Sequence, residues 1–263
     1  PGADGPLQAR VYRPKSAHPD VKAVVLYFHG GGFVIADLDV YDASPRSVAR
    51  FADCVVVSVH YRQAPEHRFP AAHEDALAAW RWIIDNAASL GGDPNKIAIM
   101  GESAGGNLAC ATAIAARDEG LQAPCHMVLV YPIAGDDMET PSYIENATAR
   151  PLNKPMMEWF VRHAFDDPSR TADPRINLVE ADLIGQDDLF HGVAQALDRG
   201  QGDAQTSVVG DPATLHRHVE VHADQGGLAG EVRGVVEGAE GHALRSLRLN
   251  ELRAVARLAQ QSI

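Results

Sequence analysis

Four short apolar runs constrain this chain more than any other feature. They are Val21–Phe28 (VKAVVLYF), Cys54–His60 (CVVVSVH), Ile97–Met100 (IAIM) and Met127–Tyr131 (MVLVY). None alternates strictly between apolar and polar residues, so each reads as a strand buried on both faces. Helical patterns lie between them. Ala71–Ala88 places Ala72, Ala76, Trp80, Ile83 and Ile84 on one face and stops before Gly91-Gly92. Ala104–Arg117 is small and apolar, with Gly120 placed to cap its end. Strands alternating with helices predict βαβ units, and hence an α/β fold with a mostly parallel central sheet flanked by helices. Pro151–Phe165 breaks the rhythm and reads as a short helix carrying Met156, Met157, Trp159 and Phe160. Its apolar face either joins the core or lines an acyl pocket.

Length and charge narrow the class. A chain of 263 residues suits one large domain. A net charge of −12 argues against a nucleic-acid binder, which would show a basic stripe. No apolar run approaches the ~20 residues of a membrane-spanning helix. Three cysteines, Cys54, Cys110 and Cys125, make no disulfide framework at this length, which points to a reducing, cytoplasmic location. The chain starts at Pro1 without a basic-then-apolar leader, so the expectation is a fragment, a trimmed chain or a mature form with no targeting signal. Composition also changes along the chain. After position 186 only Phe190 is aromatic, only Pro212 is proline, and no lysine follows Lys154.

Two glycine-rich segments carry chemistry. Gly101-Glu102-Ser103-Ala104-Gly105 fits G-x-S-x-G, with a strand before it and a helix after it. That context is a nucleophile elbow: a sharp turn lifts the serine oxygen above the sheet edge, beside a helix N-terminus that favours negative charge. His29-Gly30-Gly31-Gly32 follows the first strand. Its glycines let backbone N–H groups approach a developing oxyanion, where a preset donor is worth ~3–4 kcal/mol. The Lys-Ser/Thr ending of a phosphate-binding P-loop is absent. His29 reads as a residue that fixes the loop rather than as a base.

Together, HGGG at 29–32, YRQAPEHRFPAAHEDALAAWRWI at 61–83 and GDPNKIAIMGESAGGNLA at 92–109 resemble the hormone-sensitive-lipase-like (bacterial family IV) carboxylesterases, which have the α/β-hydrolase fold. YPIAG and NLVEADL (177–183) continue the likeness, which covers about residues 5–185. It implies Ser103 as nucleophile and the N–H groups of Gly31, Gly32 and Ala104 as the oxyanion hole. Glu102 stands where the family usually has Asp and keeps the carboxylate. The implied organisation is a single hydrolase domain over 1–263, with a cap-like insertion over about 136–182 and a divergent part over 186–263. The N-terminal helices that usually cover such a site would already have ended where this chain begins, so a reduced or missing N-terminal cap is expected.

The remaining members of the triad are less well marked. In this fold the order is Ser, then Asp or Glu, then His, each at a strand end. Asp211 with His242 is the first assignment: Thr206–Val209 is a possible strand before Asp211-Pro212, and Glu231–Glu237 a possible strand before His242. Asp198 is the alternative acid, and His191, His216, His218 and His222 are alternative bases. If HRHVEVH is a strand, His216, His218, Glu220 and His222 share one face and could hold zinc, although a solvated edge strand explains the pattern as well. The family's usual Leu-Pro-Pro, Asp-Pro and His-Gly-Phe pattern does not follow Gly185. A reading-frame change or foreign DNA would produce such a tail, and the coding DNA read in its other frames tests that account. The expected activity is hydrolysis of short- to medium-chain acyl esters through an acyl-enzyme, with no metal or organic cofactor. The expected partner is a small ester, with no nucleic acid and no membrane span; a homodimer is the assembly considered. The rivals are a metal hydrolase and an impaired or non-catalytic small-molecule binder on the same scaffold, which resembles the plant gibberellin receptors.

Overall fold

The computed structural model describes residues 1–15 and 21–181, together with the backbone of 206–209 and 219–221. Seven strands form one sheet: β1 (Gln8–Tyr12), β2 (Lys22–Phe28), β3 (Val55–His60), β4 (Gly92–Glu102), β5 (His126–Val130), β6 (Thr206–Val209) and β7 (Val219–Val221). Their spatial order is β1-β3-β2-β4-β5-β6-β7. The four predicted apolar runs become β2, β3, β4 and β5. These lie side by side and parallel. Val24, Leu26, Val56, Val57, Ile97, Ile99 and Met127 have no exposed surface, as strands covered on both faces require.

Five α-helices lie among the described residues, with three short 3-10 turns besides: α1 (Ala43–Phe51), α2 (Ala71–Asn86), α3 (Ala104–Asp118), α4 (Pro141–Glu145) and α5 (Lys154–Ala164). α2 buries the face read from its periodicity, with Ala76, Trp80 and Ile83 fully enclosed. Fully burying a side chain such as Ile83 contributes about 1.5–3 kcal/mol. The Trp80 Nε1–H donates to the Gln122 carbonyl oxygen at 3.0 Å, so α2 and the chain before β5 are pinned together. Past α3, Gly120 takes a left-handed φ of 65°, as its capping role predicts.

The sequence pattern missed β1 and α1. β1 pairs antiparallel with β3 at the sheet edge, and its residues are mostly half-exposed, so no apolar run marks it. α1 buries only Pro45 and Ala49, too little for a visible stripe. The antiparallel β6 and β7 form the opposite flank.

Strand order determines where a site can lie. The chain moves from β2 outward to β3, then returns to place β4 on the other side of β2. The loops leaving β2 and β4 therefore diverge from adjacent strand ends and leave a crevice between them, the usual binding position in an open α/β sheet.

Candidate active site

Phe28 pairs with Gly101 at the ends of β2 and β4, so the HGGG loop and the elbow start side by side. Ser103 has φ 54° and ψ −118°, a sparsely populated conformation that persists only where the surroundings impose it. The flanking glycines permit the close packing. A Cβ on Gly101 would lie 2.0 Å from the Gly105 carbonyl oxygen, and one on Gly105 would lie 2.1 Å from the Phe28 carbonyl oxygen. The first turn of α3 thus packs directly onto the end of β2. Ser103 is the N-cap residue just before this 15-residue helix, where the helix dipole favours negative charge.

The HGGG loop is held from behind. His29 is fully buried; its Nδ1–H donates to the Gly30 carbonyl oxygen at 2.7 Å, and its ring stacks on Tyr61 at 4.5 Å. The Tyr61 hydroxyl donates to the His29 carbonyl oxygen at 2.9 Å. Burial lowers the His29 pKa to about 4, so the ring is neutral and serves to fix the loop, as its sequence position suggested. Gly31 and Gly32 both have positive φ, at 113° and 59°. The Gly31 carbonyl oxygen accepts from the N–H groups of Val34 and Ile35, which tightens the turn.

Ser103, Gly31 and Gly32 open onto a cavity of about 160 Å³. Its other wall is apolar: Pro151 and Leu152 before α5, then Met156, Met157 and Phe160 on it. The Asn153 side chain caps α5 by accepting from Met156 N–H at 3.0 Å, which fixes the helix start two turns before Phe160. Phe160 packs onto Gly32 so closely that a Cβ there would lie 2.3 Å from its ring. The 151–165 segment therefore supplies a wall of the cavity as well as core contacts.

Two features were not legible in the sequence. Glu102 is buried, with its carboxylate accepting from the Tyr27 hydroxyl at 2.5 Å and the Tyr131 hydroxyl at 3.1 Å. Burial, and then the Glu102 charge, raise both phenols above their usual range, so both stay protonated as donors. Behind α3, the Asn107 amide donates to the carbonyl oxygens of Ile133 and Ile176, and its Oδ1 accepts from His73 Nε2–H at 2.9 Å. Each contact joins residues far apart in the chain, and no local spacing announces it.

The structure brings Ser103 and its neighbour Ala104 together with Gly31 and Gly32. Asp198, Asp211, His191, His216, His218, His222 and His242 lie outside the described residues, as does the expected strand at 231–237. The strand expected at Thr206–Val209 is present as β6, but it runs antiparallel to β5. Val209 sits opposite Met127, whereas Ser207 faces Leu129, toward the Ser103 end. β6 thus starts at the Ser103 edge of the sheet and leaves from the other. β7 reverses again, and Val221 pairs with Thr206 at the Ser103 edge. Among the described residues, no group of three or more His, Cys, Asp or Glu is placed to hold a metal ion, and no helix is long and apolar enough to cross a membrane.

The chain belongs to the alpha/beta hydrolase fold family, which it matches over residues 25–200. The match runs past the compositional break near 186 and leaves 201–263 outside it. Among its relatives, esterase LipI of Mycobacterium tuberculosis is 46% identical over 162 residues, covering 61% of this chain and 51% of LipI. Carboxylesterase NlhH of the same organism is 40% identical over 201 residues, covering 74% of this chain and 62% of NlhH. Ethyl acetate hydrolase of Pseudomonas putida is 38% identical over 174 residues, covering 65% of this chain and 54% of that enzyme. A solved hyperthermophilic esterase from the archaeon Pyrobaculum calidifontis superposes with a TM-score of 0.66 at 43% identity, covering 69% of this chain and 60% of that one. The chain thus spans between half and two thirds of the length of these relatives.

Proposed function

We propose that the protein is a serine carboxylesterase acting on short- to medium-chain acyl esters. The observation that carries this reading is the cavity in which Ser103 and the two loop glycines face an apolar wall. An ester fits such a surface: its carbonyl lies at Ser103 and its acyl or alkyl group lies along Met156, Met157 and Phe160. Ser103 Oγ attacks the carbonyl carbon while a histidine takes its proton. The N–H groups of Gly31, Gly32 and Ala104 receive the oxyanion. The imidazolium then protonates the departing alcohol, and water releases the acid by the reverse route.

The acid and base are proposed from the chain beyond residue 181. The direction of β6 supports Asp198, which precedes it, over Asp211, which follows its far end. His242 is retained as the base. His222, the next residue in sequence after Val221, is its competitor. A count of only three cysteines in a chain of this length supports a reducing, cytoplasmic location.

The test is a burst experiment with p-nitrophenyl butyrate, paired with labelling by a fluorophosphonate. A stoichiometric burst and a label on Ser103, both lost in Ser103→Ala, are expected. A folded protein that shows neither would replace this reading with a ligand-binding role.

A further inference from the structure

The strained nucleophile is gripped by the segment after β5. Ser103 N–H donates to the Val130 carbonyl oxygen at 2.9 Å, and Ile133 N–H donates to the Ser103 carbonyl oxygen at 3.1 Å. Both peptide groups of the serine are thus tied to residues 130–133. The segment between those ties is itself unusual, since Tyr131 holds φ 36°, a left-handed conformation that a bulky residue rarely adopts. Its ring turns back so that the hydroxyl reaches the carboxylate of Glu102, the residue just before Ser103. The other carboxylate oxygen is anchored to Tyr27 on the adjacent β2. The bonds close a ring: elbow to β5 by backbone, and β5 back to the elbow by side chains.

We propose that Glu102 is a positioning residue for the nucleophile, holding Tyr131 in its left-handed turn so that the 130–133 clamp keeps Ser103 Oγ in place. This rests on the esterase reading above. A carboxylate suits the role because it accepts from two phenols at once and needs no donor of its own. A Gln side chain has one oxygen to offer, so one phenol loses its acceptor. A sub-ångström shift of an attacking atom is costly to rate while leaving the apolar binding wall untouched.

The test measures burst and steady-state kinetics with p-nitrophenyl butyrate for wild type, Glu102→Gln, Glu102→Asp, Tyr131→Phe and Tyr12→Phe. The last removes another phenol–carboxylate bond, Tyr12 to Asp42 at 2.8 Å, away from the elbow. Glu102→Gln and Tyr131→Phe should lower kcat and the acylation rate about tenfold or more with KM nearly constant. Glu102→Asp should recover most of that loss. Tyr12→Phe should lower Tm by a similar amount and leave kcat unchanged. Equal kcat in Tyr131→Phe and Tyr12→Phe would overturn the positioning role while leaving the esterase reading standing. A folded wild type without a burst would overturn the esterase reading, and the positioning role with it.

Discussion

The parallel centre of the sheet and its antiparallel flank differ in what they deliver to one edge. β2 and β4 end together, and each hands its following loop directly to the crevice: glycines from one, Ser103 from the other. β6 begins at that edge and leaves from the opposite one, and β7 comes back. A parallel strand sends every successor loop to the same side of the sheet, so neighbouring strands converge on one site. An antiparallel strand sends its exit away, and only the chain before it or after the next reversal can reach the site. Ser103 and the HGGG loop therefore take their places from the centre alone, while the proposed acid and base fall in the chain around the flank.

The variant pair Asp198→Asn and Asp211→Asn breaks or sharpens this comparison most strongly. Asp198→Asn should lower kcat about 10⁴-fold, as loss of a triad carboxylate does, and Asp211→Asn should change it little. The reverse result would mean that β6 delivers its far end to the site after all. The next effect concerns the rigidity of the centre. Asp75 is fully buried and accepts from Arg62 Nε at 2.8 Å, from Arg62 N–H at 3.0 Å and from Ala3 N–H at 2.9 Å. Asp75→Ala leaves Arg62 only its longer ion pairs, to Glu74 at 3.5 Å and Asp4 at 3.6 Å, and removes the acceptor of two backbone N–H groups, and should cost about 1–3 kcal/mol in urea unfolding, with kcat/KM unaltered in the molecules that remain folded.

Gly32→Ala addresses the crevice itself. The added methyl meets the Phe160 ring, so either the ring or the oxyanion loop must move. A loss of about 10²–10³ in kcat is expected, and Phe160→Ala combined with Gly32→Ala should recover part of it. If Gly32→Ala turns over at the wild-type rate, the loop does not supply the oxyanion donors.

The smallest effect concerns pH. His29 and His73 are buried and neutral, and burial holds each near a pKa of about 4, against 6.5 for the free side chain. Above pH 6.5 neither state takes up the proton. Between 6.5 and 4 the unfolded chain binds protons that the folded one refuses, so stability falls as pH falls, by up to about 3 kcal/mol per histidine. Urea midpoints measured from pH 7 to 4 should decline through this window. His73→Gln, which keeps a donor for Asn107, should flatten the decline, and an unchanged slope would refute the burial effect.

Legibility in the sequence followed from how local each signal is. The four apolar runs, the one-sided face of α2 and the Gly120 cap are patterns within a few residues; all form the expected elements, although β5 is buried on one face and only half-buried on the other. Ser103 and the HGGG loop were legible for the same reason, since each motif is contiguous and sits between a strand and a helix. β1 escaped because an edge strand with half-exposed residues leaves no apolar run. The Phe160 contact with Gly32, the Tyr61 bond to the His29 carbonyl and the Tyr131 bond to Glu102 escaped because each joins separate elements. The direction of β6 is equally invisible in TSVV, because four apolar or small residues make the same strand read either way.

By itself, then, the sequence determined an α/β chain with parallel buried strands, an elbow serine and a glycine loop, because periodicity and backbone freedom are local properties of the residues. Tertiary structure alone decided that the loop and the elbow share one crevice, that α5 walls it, and that Glu102 and Tyr131 tie the strained serine to β5. Those outcomes depend on strand order and on packing between residues distant in the chain, and no spacing along one dimension encodes which strand lies beside which.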